Sequence, residues 1–229
     1  MTPRILAFDT SSTRESVALL EGETLRAELR SDLPETHSAL LLKSVEFLLE
    51  RVGWTLRDVT LIAVGIGPGS FTGVRIGVAT AMGLAQSLGI PLAGVSGLDA
   101  LARQVALLDT DERIGVMIDA HRNQVYFAEY EISCGKARPT GKPELVDIAA
   151  LESRLADISC LTGDLKREQW EWLEKSFKRK TRRIPADPFL AEGIGRLAMA
   201  RKKTWRSGDF PTLEPLYIRP PDALKNKKN

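Results

Sequence analysis

The chain has 229 residues, 43% hydrophobic and 27% charged, an ordinary composition for one large folded domain or two lobes. Two cysteines (Cys134 and Cys160) and two distant histidines (His37 and His121) exclude a disulfide scaffold, a cysteine-rich zinc module and a His-x-x-x-His metal motif. The net charge of +2 is uneven: residues 1–165 hold 15 Lys+Arg against 22 Asp+Glu, net −7, and residues 166–229 hold 17 against 8, net +9. A basic last third suits an anionic partner, RNA above all, although charge runs are more often a solvated face.

Met1 to Arg4 leads straight into a strand pattern, so no secretory signal is expected. Arg4 to Phe8 is a short apolar run ending at Asp9, followed by the turn residues Thr10 to Thr13. Glu15 to Leu20 and Glu23 to Arg30, joined at Glu21-Gly22, complete an antiparallel three-stranded meander. Thr36 to Val52 reads as a helix whose apolar residues are too many for one core-facing stripe. Leu61 to Ile66 is a buried strand, Gly67-Pro68-Gly69-Ser70 a turn, and Thr72 to Leu88 a helix. That helix carries Gly73, Gly77, Ala81 and Ala85 on nearly one line, which permits close approach of another helix. A strand from Pro91 to Gly94 and a helix from Gly97 to Leu107 follow. Residues 76–98 carry no charge, but Pro91 and five glycines interrupt them, so a buried helix, turn and strand fit better than a membrane span.

The second half repeats this order. Ile114 to Ile118 is an apolar run ending at Asp119, and Gln124 to Ile132 is a long strand. A short strand at Leu145-Val146, a helix from Ile148 to Leu155 and a strand from Ile158 to Leu161 come next. After the turn at Thr162 to Asp164 come a helix from Gln169 to Phe177, a short strand at Arg183-Ile184 and a helix from Pro188 to Arg201. The sequence thus predicts an α/β protein of two duplicated β-β-β-α-β-α lobes. Residues 1–105 form the first, residues 106–224 the second with the C-terminal helix and extended segment, and residues 225–229 a disordered basic tail.

Two stretches have the composition of a ligand site. Asp9, Thr10 and Ser11, at the carboxyl end of a buried strand, offer a carboxylate and hydroxyls to a hydrated metal or a phosphate. Gly67, Gly69 and Ser70 precede a helix N-terminus, where free amides attract anions. In both stretches ordinary turn and capping bonds account for the same residues. The second is neither a Walker A loop nor a dinucleotide fingerprint. His37 and His121 read as ordinary polar residues, and Ser70 has no histidine near it in sequence to support a hydrolase.

Ala7-Phe8-Asp9-Thr10-Ser11, the long stretch Gly67-Pro68-Gly69-Ser70-Phe71-Thr72-Gly73-Val74-Arg75-Ile76-Gly77 and the late Pro215-Leu216-Tyr217-Ile218-Arg219 resemble the bacterial TsaB (YeaZ) family. The resemblance implies an actin/hexokinase/Hsp70-type (ASKHA) fold and a role in making threonylcarbamoyladenosine beside the anticodon of tRNAs that read codons starting with A. It also implies the partners. The paralogue TsaD performs the transfer, the ATPase TsaE joins it, tRNA enters through the complex, and the chain alone forms a homodimer. ATP and Mg²⁺ are then used by those partners, with no cofactor or metal of the chain's own. TsaD-type proteins hold a metal in a Val-Asn-His-Leu-Glu-x-His pattern. The matching Val95-Ser96-Gly97-Leu98-Asp99-Ala100-Leu101 has Gly97 and Leu101 at the histidine positions, and neither ligates a metal.

The reading is therefore a non-catalytic, cytoplasmic scaffold without catalytic residues. Its partner interface is expected at Leu41, Val45, Leu48 and Val52 on one helix and Gly73, Gly77, Ala81 and Ala85 on the next. The alternatives are an ATP-dependent small-molecule kinase of the same fold and a peptidase. RNA binding through Arg179, Lys180, Arg182 and Arg183 is compatible with the scaffold.

Overall fold

A computed structural model describes residues 2–32, 37–108, 111–176, 181–208 and 212–219, with the backbone alone at residues 37–39. In chain order the elements are β1 (Arg4–Asp9), β2 (Glu15–Glu21), β3 (Thr24–Ser31), α1 (His37–Val52), β4 (Leu61–Gly65), α2 (Phe71–Leu88), β5 (Leu92–Val95) and α3 (Gly97–Ala106). Then come β6 (Glu112–Asp119), β7 (Gln124–Ser133), β8 (Lys136–Pro139), β9 (Glu144–Asp147), β10 (Cys160–Asp164), α4 (Arg167–Ser176), β11 (Arg182–Arg183) and α5 (Ala191–Ala200). Thr36, the expected first residue of α1, the end of the helix expected to reach Phe177, and residues 225–229 lie outside the described residues.

The chain divides into two compact units, Met1–Ala100 with Phe189–Leu216, and Leu101–Pro188 with Tyr217–Asn229. The first unit is built on a five-stranded sheet in the order β3-β2-β1-β4-β5. Its meander is antiparallel, and β1–β4 and β4–β5 are parallel. Ile5–Phe8 of β1 and all of β4 are apolar runs because helices cover both of their faces. On one side Leu41, Val45, Leu48 and Leu49 of α1 pack with Ala81 and Ala85 of α2 onto Leu6, Phe8, Val17, Leu19, Ile62 and Val64. Burial of each large side chain there contributes about 1.5–3 kcal/mol. α5 packs on β1, β2, β4 and β5 through Ala191, Ile194, Gly195 and Ala198.

The second unit repeats the topology, with a six-stranded sheet in the order β11-β10-β6-β7-β8 and β9 also paired to β7. Here too the antiparallel strands flank one side of the first strand, and the parallel strands, β10 and β11, flank the other. Its core holds Met117, Val125, Phe127, Leu151, Leu161, Trp170 and Leu173.

Three expectations need correction. The helix expected from Ile148 to Leu155 is a 3-10 segment, Ile148–Arg154. The strand β8, exposed at the sheet edge, has no apolar alternation to reveal it. The C-terminal helix, assigned to the second lobe, belongs to the first unit: Gly195 of α5 faces Leu20 of β2 and Ala7 of β1, where an added Cβ would lie 2.6 Å from Leu20 Cδ1.

Candidate functional site

Asp9, Thr10 and Ser11 lie against Gly69 and Ser70, and the two stretches close on one another. All three residues of the strand end are buried. Asp9 Oδ2 accepts a hydrogen bond from the Ser11 hydroxyl at 3.0 Å, and Oδ1 accepts a longer one from the Ser11 N–H at 3.4 Å. The Ser11 carbonyl accepts from the Ser70 N–H at 2.6 Å. The Thr10 hydroxyl donates to the Gly73 carbonyl at 2.8 Å. Ser70 caps α2, its hydroxyl accepting from the Gly73 N–H at 3.2 Å and its carbonyl from the Val74 N–H at 2.9 Å. The amides of Ser70 and Gly73 are therefore committed to the chain itself, which leaves the amides of Phe71 and Thr72 at the start of α2. Gly67 adopts φ +93° and accepts from the Gly97 N–H at 2.9 Å, so it shapes the turn.

The row of small residues has the same explanation. A Cβ added at Gly65 would collide with the Asp9 carboxylate, at Gly69 with the Ser11 carbonyl, and at Gly73 with the Thr10 carbonyl. At Gly77 it would lie 2.5 Å from the Thr10 hydroxyl oxygen. Gly73 and Gly77 are thus small to admit the β1–β2 turn, and no second chain is needed to explain them. Leu41, Val45, Leu48, Ala81 and Ala85 are at most 3% exposed within the first unit's core, and Val52 is half-buried against it. The eight expected interface residues are corrected accordingly: they form a mostly inward stripe that holds the unit together, with only Val45 bordering a surface groove and Val52 half-buried.

The outward faces of the same helices carry what the sequence analysis missed. Leu42 is 55% exposed and Phe47 is 52% exposed on α1. On α2, Phe71, Arg75, Ala79 and Gly83 are exposed, and Arg75 stacks on the Phe71 ring at 3.8 Å. The surplus of apolar residues on α1 is the signal in the sequence that points to Leu42 and Phe47.

In the second unit, Asp119 ends β6 as Asp9 ends β1, and polar side chains hold it. Its Oδ1 accepts from the His121 N–H at 2.9 Å and from Gln169 Nε2 at 2.8 Å. Its Oδ2 lies 3.2 Å from His121 Nδ1 and 3.4 Å from Lys166 Nζ. Burial opposes the charge, but the Gln169 amide, the His121 N–H and Lys166 outweigh it and hold this carboxyl below the usual carboxylate range. His121, Arg122 and Asn123 follow in the left-handed region, with φ of 59°, 53° and 57°. Cys160 is buried, and burial together with the adjacent Glu112 pushes its thiol up to about 12, so it is inert as a nucleophile near neutrality.

The basic last third is largely neutralised where it is described. Arg182 pairs with Glu112 at 2.8 Å, Arg183 with Glu174 at 3.4 Å and Arg167 with Glu171 at 2.8 Å. Arg183 also lies over the Trp170 ring. Arg179 and Lys180 lie outside the described residues. Among the described residues no helix is long and apolar enough to cross a membrane.

A family model described as "TsaD: tRNA N6-adenosine threonylcarbamoyltransferase" matches residues 32–167, more than half of the chain. The "tRNA threonylcarbamoyladenosine biosynthesis protein TsaB" of Escherichia coli (strain K12) is 41% identical over 128 residues, which are 56% of this chain and 55% of that protein. The chain belongs to this family, among its TsaB/YeaZ members. It spans about half the length of the curated relatives it matches. A solved structure from Pseudomonas aeruginosa, described as an uncharacterized protein similar to the peptidase YeaZ, superposes with a TM-score of 0.78 at 29% identity, covering 95% of this chain and all of that one. The polyphosphate/ATP-glucomannokinase of Arthrobacter sp. strain KM, 14% identical with a TM-score of 0.53 over 87% of this chain and 99% of that one, shares the fold alone. The fold is of the ASKHA type, as the family resemblance implies. In this member the stretch from Val95 to Leu101 is the strand end and first turns of α3, with Gly97, Leu98 and Leu101 buried.

Proposed function

We propose that this chain is the non-catalytic subunit that binds TsaD and supports threonylcarbamoyl transfer to tRNA, with TsaE as a further partner. One observation carries the reading. The two loops with ligand-site composition are packed into each other, with Ser70 N–H on the Ser11 carbonyl at 2.6 Å, while α1 turns Leu42 and Phe47 outward. A filled ligand cleft beside an exposed apolar helix face suits a docking role better than a chemical one. The same face serves a homodimer when the chain is alone. The match to the TsaD family model and the TsaB names of its relatives support membership of that modification system.

The test is reconstituted transfer with TsaD, TsaE, threonylcarbamoyl adenylate, unmodified tRNA, ATP and Mg²⁺, with and without this chain. Modified nucleoside is measured by mass spectrometry and complex formation by light scattering. Gly83→Arg is the disrupting variant, because a Cβ at Gly83 meets open space and the fold tolerates the longer side chain. Ala81→Arg is unsuitable, because Ala81 is fully buried and the arginine would disrupt the first unit itself. Transfer is expected to require the chain, to persist with Asp9→Asn and to fall at least about tenfold with Gly83→Arg. Loss of transfer in Asp9→Asn with the complex intact would give the chain a ligand site and overturn the reading.

A further inference from the structure

The outer side of α1 borders a groove of about 450 Å³, lined by Leu42, Val45, Leu49, Trp54, Leu56 and Leu84 together with Glu46, Glu50 and Thr55. Its floor is rigid. Trp54 is buried, with the Arg4 guanidinium over its ring at 4.8 Å, and Arg4 is held by Glu21 at 3.1 Å and Asp58 at 2.9 Å. Its volume holds a few aliphatic side chains. Its rim is acidic: Glu46 and Glu50 stand one helical turn apart on the exposed face of α1, and neither has an ion-pair partner among the described residues. Like charges at this spacing repel and weaken an isolated helix. The cations of the same helix, Lys43 and Arg51, do not line the groove.

We infer that this groove receives a basic amphipathic segment of the partner protein, an apolar side chain of Leu or Met size entering over Trp54 and flanking Lys or Arg side chains meeting Glu46 and Glu50. The inference rests on the docking role proposed above and names the chemistry of what docks. Charge complementarity selects the occupant. An uncharged apolar segment would leave the two carboxylates facing each other, and an acidic one would add to their repulsion. A nucleic acid is excluded for the same reason.

The probe is TsaD from the same organism, titrated against the full chain at low and high salt, with self-association of the chain followed in parallel by light scattering. The wild-type chain is expected to bind more weakly as salt rises. Glu46→Lys with Glu50→Lys should weaken binding about tenfold or more at low salt, and the Gln pair should fall between. Leu42→Ser, at an exposed position, should weaken binding at both salt concentrations. Unchanged affinity in the Lys pair overturns the groove assignment and leaves the docking role standing. Failure of the wild-type chain to bind TsaD overturns the docking role and the groove assignment with it. If the Lys pair abolishes only self-association, the occupant is a second copy of this chain and the inference is wrong.

Discussion

Asp9 and Asp119 occupy the same place in the two halves of the duplication, the last residue of the first strand, and the chain treats them in opposite ways. Asp9 is 3% exposed and lies against Gly65, while Gly69, Gly73 and Gly77 admit Ser11 and Thr10 and so let α2 lie against the β1–β2 turn. Asp119 is covered by Lys166 and Gln169 at the start of α4 and followed by three residues in the left-handed region. One turn is sealed by close packing of backbone on backbone. The other is held by polar side chains, of which His121 and Lys166 are largely exposed. Duplicated topology preserves the position of a carboxylate, and the residues of the neighbouring helix decide whether it becomes part of a core or of a surface.

The largest effect should come from breaking the seal. Gly73→Val drives a branched side chain into the Thr10 carbonyl, which is backbone and cannot move aside. A loss of about 3 kcal/mol or more, or failure to fold, is expected in urea denaturation. The two aspartates themselves should differ less sharply. Asp9→Asn disturbs two buried hydrogen bonds with Ser11 and should cost about 1–3 kcal/mol, whereas Asp119→Asn, facing partners that are mostly solvent-exposed, should cost about 1 kcal/mol or less. Equal costs would erase the distinction between the two turns.

The pH dependence sharpens the same contrast at Asp119. Its carboxyl lies lower when folded than when unfolded, so the stability it supplies is present above the unfolded value. That stability is lost as pH falls below about 4 and through the folded value. Asp119→Asn should therefore flatten the acid limb of the stability curve, and an unchanged acid limb would refute this. The smallest effect is expected at Asn123, where φ is +57°. Asparagine tolerates this region, so Asn123→Gly should shift stability by only about half a kcal/mol, measured by thermal unfolding.

Much of this was legible in the chain. Apolar runs ending at Asp9 and Asp119, the meander turns and the glycine-rich stretch predict both sheets and the duplication, because strand and turn signals act over a few residues. The small-residue line on α2 was legible as a close approach but not as to what approaches: Gly73 and Gly77 face Thr10, more than sixty positions away in sequence. The surplus of apolar residues on α1 was visible as well, but periodicity does not say which stripe meets the core. Leu41 and Val45 turn inward, while Leu42 lines a groove beneath Glu46 and Glu50.

The sequence by itself determined the class of the fold, most of the order of elements along each repeat and the family, since these follow from local patterns and motifs. Only the tertiary structure decided that α5 joins the first unit, that the two ligand-like loops bond to one another, and that Leu42 and Phe47 of α1 face outward. Each of these depends on which distant backbone or side chain occupies the space beside a residue, and the identity of that residue does not encode its neighbour.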